Sequence, residues 1–108
     1  MKANLMLVAL LCVAAPHWAA ASPALAEEKQ CLGCHAMTTD GAGPSFQRIG
    51  RAWRGHSQAE AILVRTIRRG SASTDGPHWN KATMPDTSER PLVNEVEARR
   101  LAHWILQL

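Results

Sequence analysis

Residues Cys31-Leu32-Gly33-Cys34-His35 bring two thiols and an imidazole together in one short stretch. Cysteines at i and i+3 come to the same side of a helical turn, so each thiol can form a thioether with one vinyl group of a single haem. The histidine that follows is then placed to ligate the iron from the proximal side. Two other chemistries also use closely spaced cysteines. A structural zinc site needs four ligands, usually from two separated pairs, and the only other cysteine, Cys12, lies in the apolar leader. A thioredoxin-like redox pair needs a strand-helix-strand setting, whereas the flanks here are alanine-rich and helical in character.

A proximal histidine leaves the opposite iron face to be filled or left open. That choice separates an electron carrier from gas or peroxide chemistry. Met84, in Thr83-Met84-Pro85, is the favoured sixth ligand, because it follows a long loop able to cross the ring and Pro85 stiffens the backbone against helix. A thioether is soft and stabilises ferrous iron, so His/Met ligation raises the reduction potential. A lone methionine is otherwise core packing. Met37 stands too near His35 to reach the far side, and Met1 and Met6 belong to the leader. His78, in the same loop as Met84, is the alternative iron ligand. His56, before a helix start, and His103, beside the apolar stripe of the last helix, read as surface or boundary residues.

The chain opens with Met1-Lys2 and an apolar run from Leu5 to Ala15, much shorter than the roughly 20 residues that cross a bilayer. This pattern is a secretory signal peptide and no membrane anchor. Two small-x-small cleavage sites compete, Ala19-Ala20-Ala21 and Ala24-Leu25-Ala26. The first is preferred, which divides the chain into a leader, 1–21, and a single domain, 22–108. Ser22 would then cap a helix with Pro23 in its first turn. Export implies the periplasm in a bacterium. A domain of this size has a marginal core of its own, which a covalently held haem would complete.

Three helices can be read with their punctuation. The first is expected from Pro23 to about Met37, through the cysteine motif. The second opens at Ser57, with Glu60 as its capping-box partner, and stops at Gly70; Ile62, Leu63, Thr66 and Ile67 form its buried stripe. The third opens at Asn94 with Glu97 as partner and carries Ala98, Leu101, Trp104, Ile105 and Leu108 at helical spacing to the chain end. No stretch alternates like a strand, and no nucleotide-binding glycine loop is present.

With the cysteine motif, Gly43-Pro44-Ser45-Phe46, Trp79 five residues before Met84, and Leu101-Ala102-His103-Trp104-Ile105-Leu106 resemble the small bacterial class I cytochromes c, in the same order from Pro23 to Leu108. The resemblance implies an all-α class I cytochrome c fold, three to four helices wrapped around one haem c bound through Cys31 and Cys34 with His35 and Met84 on the iron. It further implies that the Pro44 carbonyl orients His35. Trp79 would donate its indole N–H to a haem propionate, with Arg65 or Arg68 pairing with the same acid groups. The first and last helices would pack together at Leu101, Trp104 and Ile105. The loop Ser71 to Lys81 departs from the family in being longer and more polar.

The chain carries a formal charge of +3, which loss of Lys2 and the two haem propionates would roughly cancel. Arg48, Arg51 and Arg54 precede the second helix and Arg65, Arg68 and Arg69 close it, which reads either as a solvated charged face or as a basic patch near the haem edge that would steer an acidic redox partner. Export argues against nucleic acid. The leading reading is a monomeric single-haem electron carrier; the alternatives are the dedicated haem subunit of a periplasmic oxidoreductase, and an open-site peroxidase or gas sensor.

Overall fold

The computed structural model describes residues 18–74, 79 and 82–108. They form four helices, α1 (Trp18–Glu28), α2 (Phe46–Trp53), α3 (Ala59–Arg69) and α4 (Glu95–Leu106), with 3-10 turns at Cys31–Gly33 and Ser71–Ser73. Among the described residues the only β geometry is an isolated bridge between Trp79 and Ala82. The apolar leader run, Cys12, His78 and Lys81 lie outside the described residues.

The expected first helix is corrected at both ends. It opens at Trp18, so Pro23 lies inside it and Ser22 is no cap; alanines 19–21 are strong helix formers and extend it in the N-terminal direction. It ends well before Met37, because Gln30 turns left-handed at φ 60° and an α-helix does not propagate through such a residue. The motif becomes its own tight turn instead. The Cys31 carbonyl accepts from the N–H groups of Cys34 at 3.2 Å and His35 at 3.0 Å.

Helix α2 is absent from the sequence reading. It is capped by Ser45, whose hydroxyl accepts from the Arg48 N–H at 3.1 Å. Helix α3 opens at Ala59 behind Gln58, which makes no side-chain cap, so the Ser57–Glu60 capping box is not formed. The His56 carbonyl instead accepts from the Ala59 N–H at 3.1 Å, closing the turn directly. Its end at Gly70 agrees with the sequence, and φ there is 83°, where glycine avoids the Cβ clash.

Helix α4 has the capping box read from the sequence: Glu97 N–H to Asn94 Oδ1 and Asn94 N–H to Glu97 Oε2, both at 2.9 Å. The Asn94 N–H, and then Lys29 at 3.2 Å, hold the Glu97 carboxyl below its ordinary range. A lowered folded-state pKa contributes stability above the unfolded value that is lost as pH falls through the folded one. Glu97→Gln should therefore cost stability near neutral pH, with a gap from wild type that closes as pH falls from about 5 towards 3. Urea denaturation at several pH values measures the gap; a constant gap would contradict the assignment.

Helix α4 packs against all three other helices. Leu101, Ala98, Ala102 and Ile105 are buried on it, and Ala26, Phe46, Leu63, Ile67 and Val93 close the core around them. Phe46 links this core to the cysteine motif, with its ring 5.0 Å from that of Trp104 and 5.4 Å from that of His35. Helices α2 and α4 meet at Gly50, where a Cβ would overlap the Ile105 carbonyl oxygen.

Candidate haem site

The turn that carries the cysteines leaves both thiols unpaired, Cys31 half-buried and Cys34 exposed. Burial pushes the Cys31 thiol up, and the nearby Arg90 guanidinium pulls it partly back. His35 is buried, and its Nδ1 lies 2.6 Å from the Pro44 carbonyl oxygen. That carbonyl only accepts, so the ring proton sits on Nδ1 and the Nε2 lone pair is left for a metal. Gly43 is required beside it, because a Cβ there would stand 2.7 Å from the imidazole Cε1.

Cys34, His35, Pro44, Trp79 and Met84 all line one cavity of about 180 Å³. Its apolar wall comes from Ile49 and Trp53 of α2 and from Ile62 and Leu63 of α3. Cys31 does not line the cavity and packs against the core instead. Met84 arrives on an irregular segment whose backbone is held by Ser71: the Met84 N–H donates to Ser71 Oγ at 2.8 Å, and the Met84 carbonyl accepts from the Ser71 N–H at 3.1 Å. The two thiols of the motif, beside an apolar cavity lined by an imidazole with a free Nε2 and by a thioether, fit a c-type haem. Among the described residues no three His, Cys, Asp or Glu side chains group together so as to hold a metal ion.

Trp79 is fixed at the rim by residues the sequence reading did not connect with it. Its indole N–H donates to the Gly41 carbonyl at 3.4 Å, and the Arg48 guanidinium stacks 5.2 Å from the ring centre. Arg48 in turn pairs with Asp40 at 2.7 Å. That hydrogen bond holds the Asp40 carboxyl below its usual range. Arg48→Ala should return Asp40 towards an ordinary carboxylate pKa and loosen Trp79. An NMR titration of Asp40 that is unchanged in the variant would contradict the link.

The arginines do not gather at one edge of the haem cavity. Arg54 donates to the Leu106 and Leu108 carbonyls at 3.1 and 2.8 Å, closing the end of α4. Arg65, Arg68 and Arg69 line a separate cleft with Glu95 and Arg99, on the face of α3 away from Ile62 and Leu63. Arg68 lies 3.8 Å from Glu95 there, and neither Arg65 nor Arg68 lines the haem cavity. His56 and His103 are exposed.

A helical shell around a cysteine-anchored haem site defines a c-type cytochrome. The cytochrome c family model matches residues 19–108. Cytochrome c-551 of Pseudomonas aeruginosa is 33% identical over 89 residues, covering 82% of this chain and 78% of that protein. Cytochrome c2 of Rubrivivax gelatinosus is 32% identical, covering 81% and 98%. The crystal structure of cytochrome c552 of Nitrosomonas europaea superposes with a TM-score of 0.68 at 29% identity, covering 80% of this chain and 98% of that one. The chain belongs to the cytochrome c family, among its small class I members. It is accordingly an electron carrier whose haem c is attached through Cys31 and Cys34.

Proposed function

We propose that the protein is an exported single-haem carrier, with His35 and Met84 as the axial ligands. The observation that carries this reading is that His35, its Nδ1 engaged by Pro44, and Met84, its backbone engaged by Ser71, line the same cavity. The bound haem supplies one-electron chemistry between ferric and ferrous iron. The chain's part is to hold its donors nearly still in both oxidation states. Pro44 fixes the imidazole, Ser71 fixes the Met84 backbone, and the side chains of Ile49, Trp53, Ile62 and Leu63 limit water at the cavity wall. In the reduced holoprotein, NMR should show the Met84 methyl resonance shifted strongly upfield by the haem ring current. An unshifted methyl resonance would contradict ligation.

Ala26 is fully buried in the core. Cleavage after Ala26 would remove it, whereas cleavage after Ala21 would shorten α1 and keep it, which supports a mature chain beginning at Ser22; export would deliver it to the periplasm. Intact-mass measurement of the exported protein separates the two cuts, and a start at Glu27 would contradict the preferred one.

Leu32, within the haem-attachment turn, and Met37, shortly after it, expose apolar side chains, a suitable contact for a redox protein partner. Leu92 is 72% and Val96 60% exposed, and this further apolar surface favours a second reading, in which the chain is the haem subunit of a periplasmic oxidoreductase. Purification at high salt distinguishes them: a dedicated subunit retains a stoichiometric partner, whereas a free carrier elutes alone as a monomer.

A further inference from the structure

We infer that Arg90 is a positioning residue for Met84, tying the segment that follows the thioether to the helix that walls the cavity. The inference rests on the reading of Met84 as the sixth ligand. Ser71 holds the Met84 backbone itself, and Gly70 permits the close approach: a Cβ at residue 70 would stand 2.6 Å from the Met84 oxygen and 3.0 Å from the Pro85 carbonyl carbon. The chain after Met84 is held from another direction. Arg90 Nε donates to the Pro85 carbonyl at 2.6 Å, and the same guanidinium reaches the Thr66 carbonyl of α3 at 3.5 Å.

Thr66 itself lines the haem cavity together with Ile62 and Leu63. Arg90 therefore fastens the residue after Met84 to the same turn of α3 that forms the cavity wall. The task suits arginine, because a planar fork can serve two carbonyls at once, and a lysine ammonium lacks that geometry. Hydrogen bonds from a charged donor are also about twice as strong as neutral ones. The guanidinium is partly buried, and that burial is the main influence lowering its pKa. Arginine nonetheless stays charged at any physiological pH, so the clamp is permanent and does not act as a pH switch.

Added imidazole can bind ferric iron only where the thioether has moved away, so its limiting binding rate reports how often the Met84 segment opens. Stopped-flow spectroscopy of the ferric holoprotein at a temperature far below melting gives that rate. Arg90→Gln should raise it roughly tenfold, the effect of losing one charge-assisted hydrogen bond, and Arg90→Lys should raise it less. Arg54→Gln, which removes bonds at the end of α4, serves as the control for a merely structural effect and should leave the rate unchanged. An Arg90→Gln rate within twofold of wild type, or an equal acceleration by Arg54→Gln, would overturn the inference. If Arg90→Gln fails to mature, Arg90→Lys bears the test, and a wild-type rate there also overturns it. Met84→Ala separates the two layers. If it binds imidazole rapidly while the Arg90 variants behave as wild type, the role of Arg90 alone is wrong; if it binds no faster than wild type, Met84 is not the ligand and both readings fall.

Discussion

Met84→Ala is expected to lower the reduction potential by roughly 100 mV or more, a fraction of the span of about 0.8 V that axial ligands set among haem proteins. The direction follows from the donor. A thioether favours ferrous iron, and alanine leaves the position to water or another harder ligand, so the ferric state gains. The size reflects a change of ligand more than of packing, because the segment keeps its other ties: Ser71 holds the backbone of residue 84 and Arg90 holds the carbonyl of Pro85. Spectroelectrochemical titration of wild type and variant measures the difference. An unchanged potential would remove Met84 from the iron.

Gly50→Val should produce the largest loss of stability. A Cβ at residue 50 overlaps the Ile105 carbonyl oxygen, which belongs to the backbone of α4 and has no rotamer to yield. Because α4 also packs on α1 and α3, it cannot retreat from α2 without opening its other contacts. Forced overpacking of this kind costs about 1–3 kcal/mol, with backbone obstruction at the upper end. Valine has a better intrinsic helix propensity than glycine, but only by a few tenths of a kcal/mol, which does not offset the clash. For a domain of this size the melting temperature should fall by roughly 10 °C or more. A variant melting within about 2 °C of wild type would show that α2 shifts freely, contrary to the packing described.

The same glycine explains why α2 was invisible in the sequence. Phe46, Ile49 and Trp53 have helical spacing, but Gly50 in their midst and Gly43-Pro44 before them read as loop. Gly50 is dictated by contact with α4, which no local pattern reveals. The break at Gln30 is similar, since a left-handed residue that is not glycine leaves no local signature. Ser57 and Glu60 matched a capping pattern that the tight turn from His56 displaced. By contrast the α4 capping box and the Gly70 stop depend on neighbours in sequence, and both formed as read.

For the site, residue chemistry was the legible part. Two cysteines, a histidine and a methionine beside proline are conspicuous by type, and the fold brings Cys34, His35 and Met84 to one cavity. The supporting residues were not legible. Arg48 entered only as one of several spaced arginines and Arg90 stands in no motif, yet one stacks on Trp79 and the other grips the Pro85 carbonyl. Their roles depend on partners distant in sequence. The arginine spacing, in turn, suggested one basic patch, whereas α3 turns Arg65, Arg68 and Arg69 away from the haem cavity and Arg54 is spent on the end of α4.

Carbon monoxide added to the reduced, matured holoprotein tests the central claim most directly, because it binds ferrous haem wherever the sixth position is open. A carrier that holds both axial ligands should show an unchanged visible spectrum. Rapid and complete conversion to the carbonyl complex would mean an open site, and the protein would have to be read as a sensor or peroxidase instead.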